Sequence, residues 1–173
     1  LFVPWTPMAV AVPSTCPLCH SRQVRFLARA HSRSYLECAA CRLVYLAPEE
    51  RLDPAAEREH YGTHENDPAD PGYRAFLSRL LDPLAARLPP GASGLDYGSG
   101  PAPVLATMLA EAGFPTVAYD PFFVPDADAL AATYDFIACS ETAEHFFAPA
   151  DEFARLDALL RPGGVLGVMT MLR

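Results

Sequence analysis

Lysine is absent from this chain, whose 13 basic residues are all arginines. A phosphate-cradling loop of the GxxxxGK[ST] kind is therefore excluded, because the lysine that reaches the phosphates is missing. Positive charge is scarce altogether, since 21 acidic residues bring the formal charge to −8. The shortage is concentrated beyond residue 60: residues 61–173 carry six arginines against fifteen acids, while residues 1–60 carry seven against six. Binding a nucleic-acid backbone needs clustered positive charge, and the acidic body argues against it. Only Ser14 to Leu46, with five arginines against Glu37, is locally basic, which leaves this stretch as the one place for such a partner.

Long apolar runs are also missing. The opening LFVPWTPMAVAVP has no basic leader, is interrupted by prolines and is too short to cross a bilayer. No membrane association is expected, and a cytoplasmic, reducing compartment is the default. Nor is there an internal repeat.

What the chain does contain is apolar material for a core: 51% of its 173 residues are hydrophobic and 20% charged. Composition separates three regions. Residues 14–46 hold CPLC at Cys16–Cys19 and CAAC at Cys38–Cys41. Residues 47–72 are rich in Pro, Asp and Glu and read as a solvated connector with one short helix around Pro54–Tyr61. From residue 73 to 173 helical and strand patterns alternate. Phe76, Leu77, Leu80, Leu81, Leu84 and Leu88 recur at helical spacing, which predicts a helix over Tyr73–Leu88, kinked at Pro83 and stopped by PPG. SGLDYG reads as a buried strand and Pro103–Ala112 as a helix, with the proline in its first turn and Gly113 past its end. TVAYD and YDFIACS are further strands, Pro149–Leu160 a helix stopped by RPGG, and VLGVMTM a last strand. Near-continuous apolar strands alternating with helices predict an α/β fold with a parallel sheet.

Two CxxC pairs separated by 18 residues make a metal-binding pattern. A tight CxxC turn points two sulfurs at one site, and two such turns complete a tetrahedral set. Cys16, Cys19, Cys38 and Cys41 are the expected ligands of a structural zinc ion, a closed site with no open position for chemistry. His20 beside them reads as a neighbour supporting the ligands or a surface residue, and the isolated Cys139 as a small core residue.

The segment GLDYGSGPAP at residues 94–103 places Gly98-x-Gly100 directly after a strand, and Asp120 follows Gly100 by 20 residues. A dinucleotide loop would need its third glycine at position 103, which Pro103 occupies. With its preceding acid, Asp96-x-Gly98-x-Gly100 resembles motif I of the class I S-adenosylmethionine-dependent methyltransferases, Ala102 standing for the third glycine. Three further stretches resemble the same family in the same order: Asp120 at the end of the second strand, SETAEHF at Ser140–Phe146, and LLRPGGVL at Leu159–Leu166.

The resemblance implies a Rossmann-like, mostly parallel sheet with a small N-terminal zinc ribbon. It implies S-adenosylmethionine as cofactor, held by Asp96, Tyr97, Gly98, Ser99, Gly100, Asp120, Pro121, Phe122, Ser140 and Glu141. In that family's pattern Asp120 accepts the ribose hydroxyls, Phe122 and Phe123 are candidates to cover the adenine or ribose, and the α-helix after the loop offers its N-terminus to a carboxylate. His145 is the candidate general base, with Glu144 as its alternative or orienting group. Tyr61 and His64 are further candidates to line the pocket of a small-molecule acceptor. The cysteine-rich stretch YLECAACRLVYLAP resembles modules that precede methyltransferase domains in several bacterial families.

Two departures from the family pattern are visible. Only Pro121–Thr133 separates the second strand from the next, so one edge of the sheet is expected to be trimmed to a loop and a short helix. The family's last two strands have no counterpart before residue 173, and a fragment of a longer chain is expected. A non-catalytic module that grips a protein or RNA is the competing reading, and a nicotinamide-dependent oxidoreductase a third.

Overall fold

The structure, a computed structural model, describes residues 13, 15–62 and 67–170. The opening apolar stretch and His64 lie outside the described residues. The chain divides into two compact units, Leu1–Ala55 and Ala56–Arg173.

The first unit is a three-stranded antiparallel sheet of β1 (Val24–Ala30), β2 (Arg33–Cys38) and β3 (Val44–Leu46), in that order. His31 and Ser32 join β1 to β2 with φ values of 48° and 64°, as a two-residue hairpin of right-twisted strands requires. The apolar core is small: Leu36, Tyr45 and Ala47 are buried, with Val24 and Leu43 packed against them. So few buried groups do not stabilise a module of this size, and such modules depend on a cross-link or a metal. Glu37, almost fully buried on β2, is held between Arg25 at 2.6 Å and Arg42 at 3.0 Å.

In the second unit, α1 (Pro54–Gly62) is followed by α2 (Pro71–Ala85), β4 (Gly94–Tyr97), α3 (Val104–Glu111), β5 (Thr116–Tyr119), β6 (Tyr134–Ser140), α4 (Pro149–Leu159) and β7 (Leu160–Met169). Asp70 caps α2 by accepting the Gly72 N–H at 2.8 Å, and Pro71 occupies the first turn, where its missing donor costs nothing. Leu77, Leu80, Leu81 and Leu84 bury one face of this helix, each contributing about 1.5–3 kcal/mol on transfer from water. Pro83 is carried inside α2, two residues before its end.

The sheet is wholly parallel, in the order β5-β4-β6-β7. One face packs on α2 and α3 through Phe136, Ala138, Val104 and Leu109; the other packs on α4 through Leu95, Ile137, Leu156 and Leu159. Gly94 admits the Phe136 ring, which any side chain at that position would strike. This is the Rossmann-like α/β arrangement that the motif order implies.

Boundaries differ in three places. The helix expected over Tyr73–Leu88 runs from Pro71, behind the Asp70 cap, to Ala85, short of the PPG stop. Pro103 caps α3 from outside, with ψ 64°, instead of entering its first turn. The last strand begins at Leu160, before RPGG, because Leu160 pairs with Tyr134 ahead of an irregularity in the β6–β7 register. The edge beyond β5 is trimmed as anticipated: between β5 and β6 the described residues form a loop with one 3-10 turn, Asp128–Leu130.

Strand order also locates a crevice. From β4 the chain winds to one side as β5 and then returns to the other side as β6, so the winding reverses between β4 and β6. Open parallel sheets bind ligands at the carboxyl ends of the strands at such a reversal.

Candidate functional site

The loop after β4 begins at that reversal. Gly98 has φ +81° and Gly100 φ +67°, conformations that residues with a side chain rarely adopt. A side chain on Gly98 would in addition collide with Thr142, whose hydroxyl donates to Gly98 O at 3.2 Å and to Ser140 O at 2.9 Å. Gly98 N and Ser99 N both donate to Tyr119 O, at 2.8 and 3.1 Å. The glycine loop is thus held by β5 on one side and by the residue two past β6 on the other.

Asp120, 8% exposed, ties the loop to the end of β5. Its Oδ2 accepts the Gly100 N–H at 3.0 Å, while Oδ1 accepts from Phe122 N at 2.8 Å and Phe123 N at 3.1 Å. Main-chain bonds between Asp120 and Val124, at 3.0 and 3.1 Å, close the turn that carries the two phenylalanines. Their rings meet edge to face, with centroids 6.3 Å apart. A carboxylate has about four acceptor positions; with three filled, Oδ2 keeps one.

Asp96 occupies the floor of the site. It is 2% exposed and accepts the Ala106 N–H at 3.1 Å, so it caps α3 across space where Pro103, lacking any side-chain cap, cannot. Burial pushes its carboxyl up to about 7, against the pull of the Ala106 amide and with a further push from Asp120. The helix N-terminus is therefore already partly satisfied from within the protein.

On the β6 side, Ser140 ends the strand and Glu141 turns the chain with φ +48°, its N–H donating to Met169 O at 2.7 Å. Burial and the neighbouring Glu144 push the Glu141 carboxyl above its usual range, with Arg79 opposing. Glu144 and His145 lie exposed on a 3-10 turn, Ala143–His145, fixed by the His145 N–H bond to Thr142 O at 2.9 Å. The His145 ring meets Tyr61 of α1 edge to face, with centroids 5.1 Å apart. Burial, followed by the charges of Glu57 and Glu144, raises the Tyr61 phenol far above its usual value, so it is a hydrogen-bond donor at neutral pH.

A sequence model of the methyltransferase domain matches residues 70–173. The chain belongs to that family. Among solved structures it is similar to a SAM-dependent methyltransferase from Thiobacillus denitrificans in complex with S-adenosyl-L-homocysteine, with 20% identity, 68% of this chain and 55% of that chain covered, and a TM-score of 0.45. A SAM-dependent methyltransferase from Geobacter sulfurreducens, also in complex with S-adenosyl-L-homocysteine, is 20% identical over 67% of this chain and 55% of that one, with a TM-score of 0.43. YJHP from E. coli is 23% identical over 65% and 54%, with a TM-score of 0.39. The chain thus spans about 55% of the length of the first two. No protein of curated function matches it.

Measured against the motif residues of this methyltransferase-family domain, the structure gathers Gly98, Ser99, Gly100, Asp120, Phe122, Ser140 and Glu141 around the carboxyl ends of β4, β5 and β6. Pro121 is exposed on the turn after Asp120. Tyr97 is different: its side chain turns to the α4 face, donating to Glu152 and accepting from Arg155 at 3.1 Å, with its ring against Tyr119 and Phe146. Only its main chain remains for the loop. Thr142 was not singled out by sequence, yet it fixes Gly98; the one signal for it was that a glycine followed by a helix needs something to pack against. The capping role of Asp96 was equally hidden, being set by a contact across ten residues.

The four cysteines of the first unit also converge. Their sulfurs all lie within 4.8 Å of one another, with Cys16–Cys41 at 3.7 Å and Cys19–Cys38 at 3.6 Å. These distances are far beyond a disulfide's roughly 2.05 Å. They match the edge, about 3.8 Å, of a tetrahedron of sulfurs around an ion at 2.3 Å. Main-chain amides of Cys41 and Ala40 aimed at the Cys38 sulfur hold its thiol down at about 7, while burial and the neighbouring sulfurs push the Cys41 thiol up to about 12, as thiols crowded without a cation between them must.

None of the described helices is long and apolar enough to cross a membrane.

Proposed function

We propose that residues 73–173 bind S-adenosylmethionine and transfer its methyl group to a small-molecule acceptor, and that residues 14–46 are a structural zinc ribbon joined to them by residues 47–72. The observation that carries this reading is the double anchorage of a positive-φ glycine loop, to Thr142 and to Asp120, at the reversal point of a parallel sheet in a methyltransferase-family domain.

When bound, the cofactor supplies an electrophilic methyl group on a sulfonium. The protein's part is alignment and exclusion of water. Gly98, Ser99 and Gly100 bring main chain close to the ligand, with Asp96 and Tyr97 holding the strand end beneath them. Asp120 offers the remaining acceptor position on Oδ2 to a ribose hydroxyl, and Pro121 and Phe122 border the adenine. Ser140 and Glu141 line the opposite wall. At the rim, His145 takes a proton from the acceptor, Glu144 orients it, and Tyr61 lines the pocket. Zinc suits four thiolates at these separations, and Cys16, Cys19, Cys38 and Cys41 would hold it as a cross-link for a unit with little core of its own.

Calorimetric titration of the full chain with S-adenosylmethionine tests the first part. Saturable binding is expected, weakened at least about tenfold, or 1.4 kcal/mol, by Asp120→Ala. A wild-type chain that gives no binding heat would remove the proposal.

A further inference from the structure

We propose that Cys19 is the site at which the four-cysteine centre is oxidised: it closes onto the neighbouring Cys38, Cys41 then closes onto Cys16, and the metal is released. The proposal rests on the metal reading given above, and hydrogen peroxide is the oxidant.

The two cysteine turns share one build. His20 N donates to Cys16 O at 3.0 Å and Arg42 N to Cys38 O at 2.8 Å, and the chain leaves the turns at His20 and Arg42 with φ 58° and 67°. All four sulfurs meet in one place, and two short separations run from turn to turn: Cys19–Cys38 at 3.6 Å and Cys16–Cys41 at 3.7 Å. Exposure is unequal. Cys16 and Cys38 are fully buried, Cys41 is half-buried and Cys19 is exposed. Around a cation all four are thiolates, so nucleophilic character does not choose among them. Access does, because oxidation follows thiolate character and exposure together. Cys19 is reached first, and the buried Cys38 beside it is the thiolate that resolves it.

The chemistry closes without a further reactant. The Cys19 thiolate attacks one peroxide oxygen, the O–O bond breaks, hydroxide leaves and a sulfenic acid remains. The Cys38 thiolate then attacks the Cys19 sulfur; an S–S bond forms, the S–O bond breaks and a second hydroxide leaves. Cys41 and Cys16 repeat the sequence with a second peroxide. Each pair of thiolates gives two electrons to one peroxide, and the divalent ion, its thiolates gone, passes to solvent. Contraction of each pair to about 2.05 Å needs a movement of about 1.5 Å. The two bonds bridge sequence separations of 19 and 25 residues, one inside the other, so the turns stay joined after the metal has left. A disulfide within either CxxC turn would join nothing beyond that turn.

The test treats the zinc-loaded full chain with increasing hydrogen peroxide. A chromogenic chelator reports free zinc, and remaining thiols are alkylated before digestion with trypsin in denaturant. A chain that takes up no zinc would remove the metal reading and this proposal with it. Trypsin cuts after arginine; Arg22 and Arg33 lie between the turns and no arginine lies within either, so the two cysteine pairs fall on separate peptides. One zinc should be released as two disulfides form, both joining these peptides, with Cys19–Cys38 appearing before Cys16–Cys41 in the fragmentation spectra. Cys139, buried in β6, should stay reduced. Any other pairing, a Cys16–Cys41 bond that forms first, a Cys19 sulfinic acid without a disulfide, or zinc retained throughout would overturn the proposal and leave the zinc site standing.

Discussion

The Gly100 amide donates to Asp120 Oδ2 at 3.0 Å, so the acid at the end of β5 holds the loop that follows β4. In the proposed function this carboxylate has two tasks, shaping the bend and presenting its remaining acceptor position to a ligand. Asp120→Asn and Asp120→Ala should separate them. Asparagine has a single acceptor oxygen: turned toward Phe122 and Phe123, it leaves its NH2 facing the Gly100 N–H, donor against donor, while alanine leaves three half-buried amides short of a partner. Losing the partners of a charged acceptor costs about 1–3 kcal/mol. Denaturant unfolding should rank wild type above Asn above Ala, and both variants should bind S-adenosylmethionine more weakly than wild type. An Asp120→Ala chain that unfolds like wild type would contradict the bracing role.

Gly98 is constrained twice, by φ +81° and by the Thr142 side chain. Gly98→Ala is expected to destabilise the second unit by about 1–3 kcal/mol. Pairing it with Thr142→Ala should recover part of that loss, because the methyl and hydroxyl that block the new side chain are removed. Melting temperatures of the two single variants and the double variant check this. Simple additivity would mean the two residues do not meet.

The elements of the second unit were largely legible because apolar periodicity and glycine punctuation are local signals. Gly113, at φ +91°, ends α3 just as a glycine past a helix should. What escaped was set by distant contacts. The start of β7 at Leu160 depends on its pairing with Tyr134, and the irregularity after it is held by Arg161, which bonds Asp135 at 2.7 Å and Ser93 at 3.0 Å. Likewise Asp96 reads as a motif acid in sequence, whereas its cap on Ala106 exists only once α3 packs over β4. The meeting of Tyr61 with His145 has no local signature at all.

Two carboxyl groups give stability opposite dependences on pH. The Arg161 side chain, with the Ser93 amide and hydroxyl, lowers the Asp135 carboxyl to about 2, below the usual value of about 3.9. Its contribution is fully present above the unfolded value and is lost as pH falls toward 2. Asp96, raised to about 7 by burial, works the other way. Between about pH 4 and 7 the folded chain retains a proton that the unfolded chain has released, so stability declines as pH rises through that window. Asp96→Asn, which keeps an acceptor for the Ala106 amide, should melt like wild type at pH 4 and above it at pH 8. Arg161→Ala should weaken the acid-side dependence between pH 4 and 2. Identical pH profiles for wild type and Asp96→Asn would show that Asp96 titrates as an ordinary carboxyl.

At the rim, His145 and Tyr61 have different expected effects. His145→Ala should lower methyl transfer by about 10²–10⁴-fold, the usual worth of a general base, while calorimetric binding of the cofactor stays within about twofold. Tyr61→Phe, which keeps the ring beside His145 but releases Glu57, should act on acceptor KM more than on kcat. Transfer of a labelled methyl group to components of a cell extract, followed by fractionation, supplies the assay. A loss of cofactor binding in His145→Ala would place the residue in the wrong half of the site.

The central claim, that the loop braced by Thr142 and Asp120 cups S-adenosylmethionine, is tested most directly by a crystal structure of the chain grown with S-adenosyl-L-homocysteine. The ligand should lie over Gly98–Gly100 with a ribose hydroxyl within hydrogen-bonding distance of Asp120 Oδ2, while the Gly100 amide bond persists. A ligand bound elsewhere, or none at saturating concentration, would contradict the account.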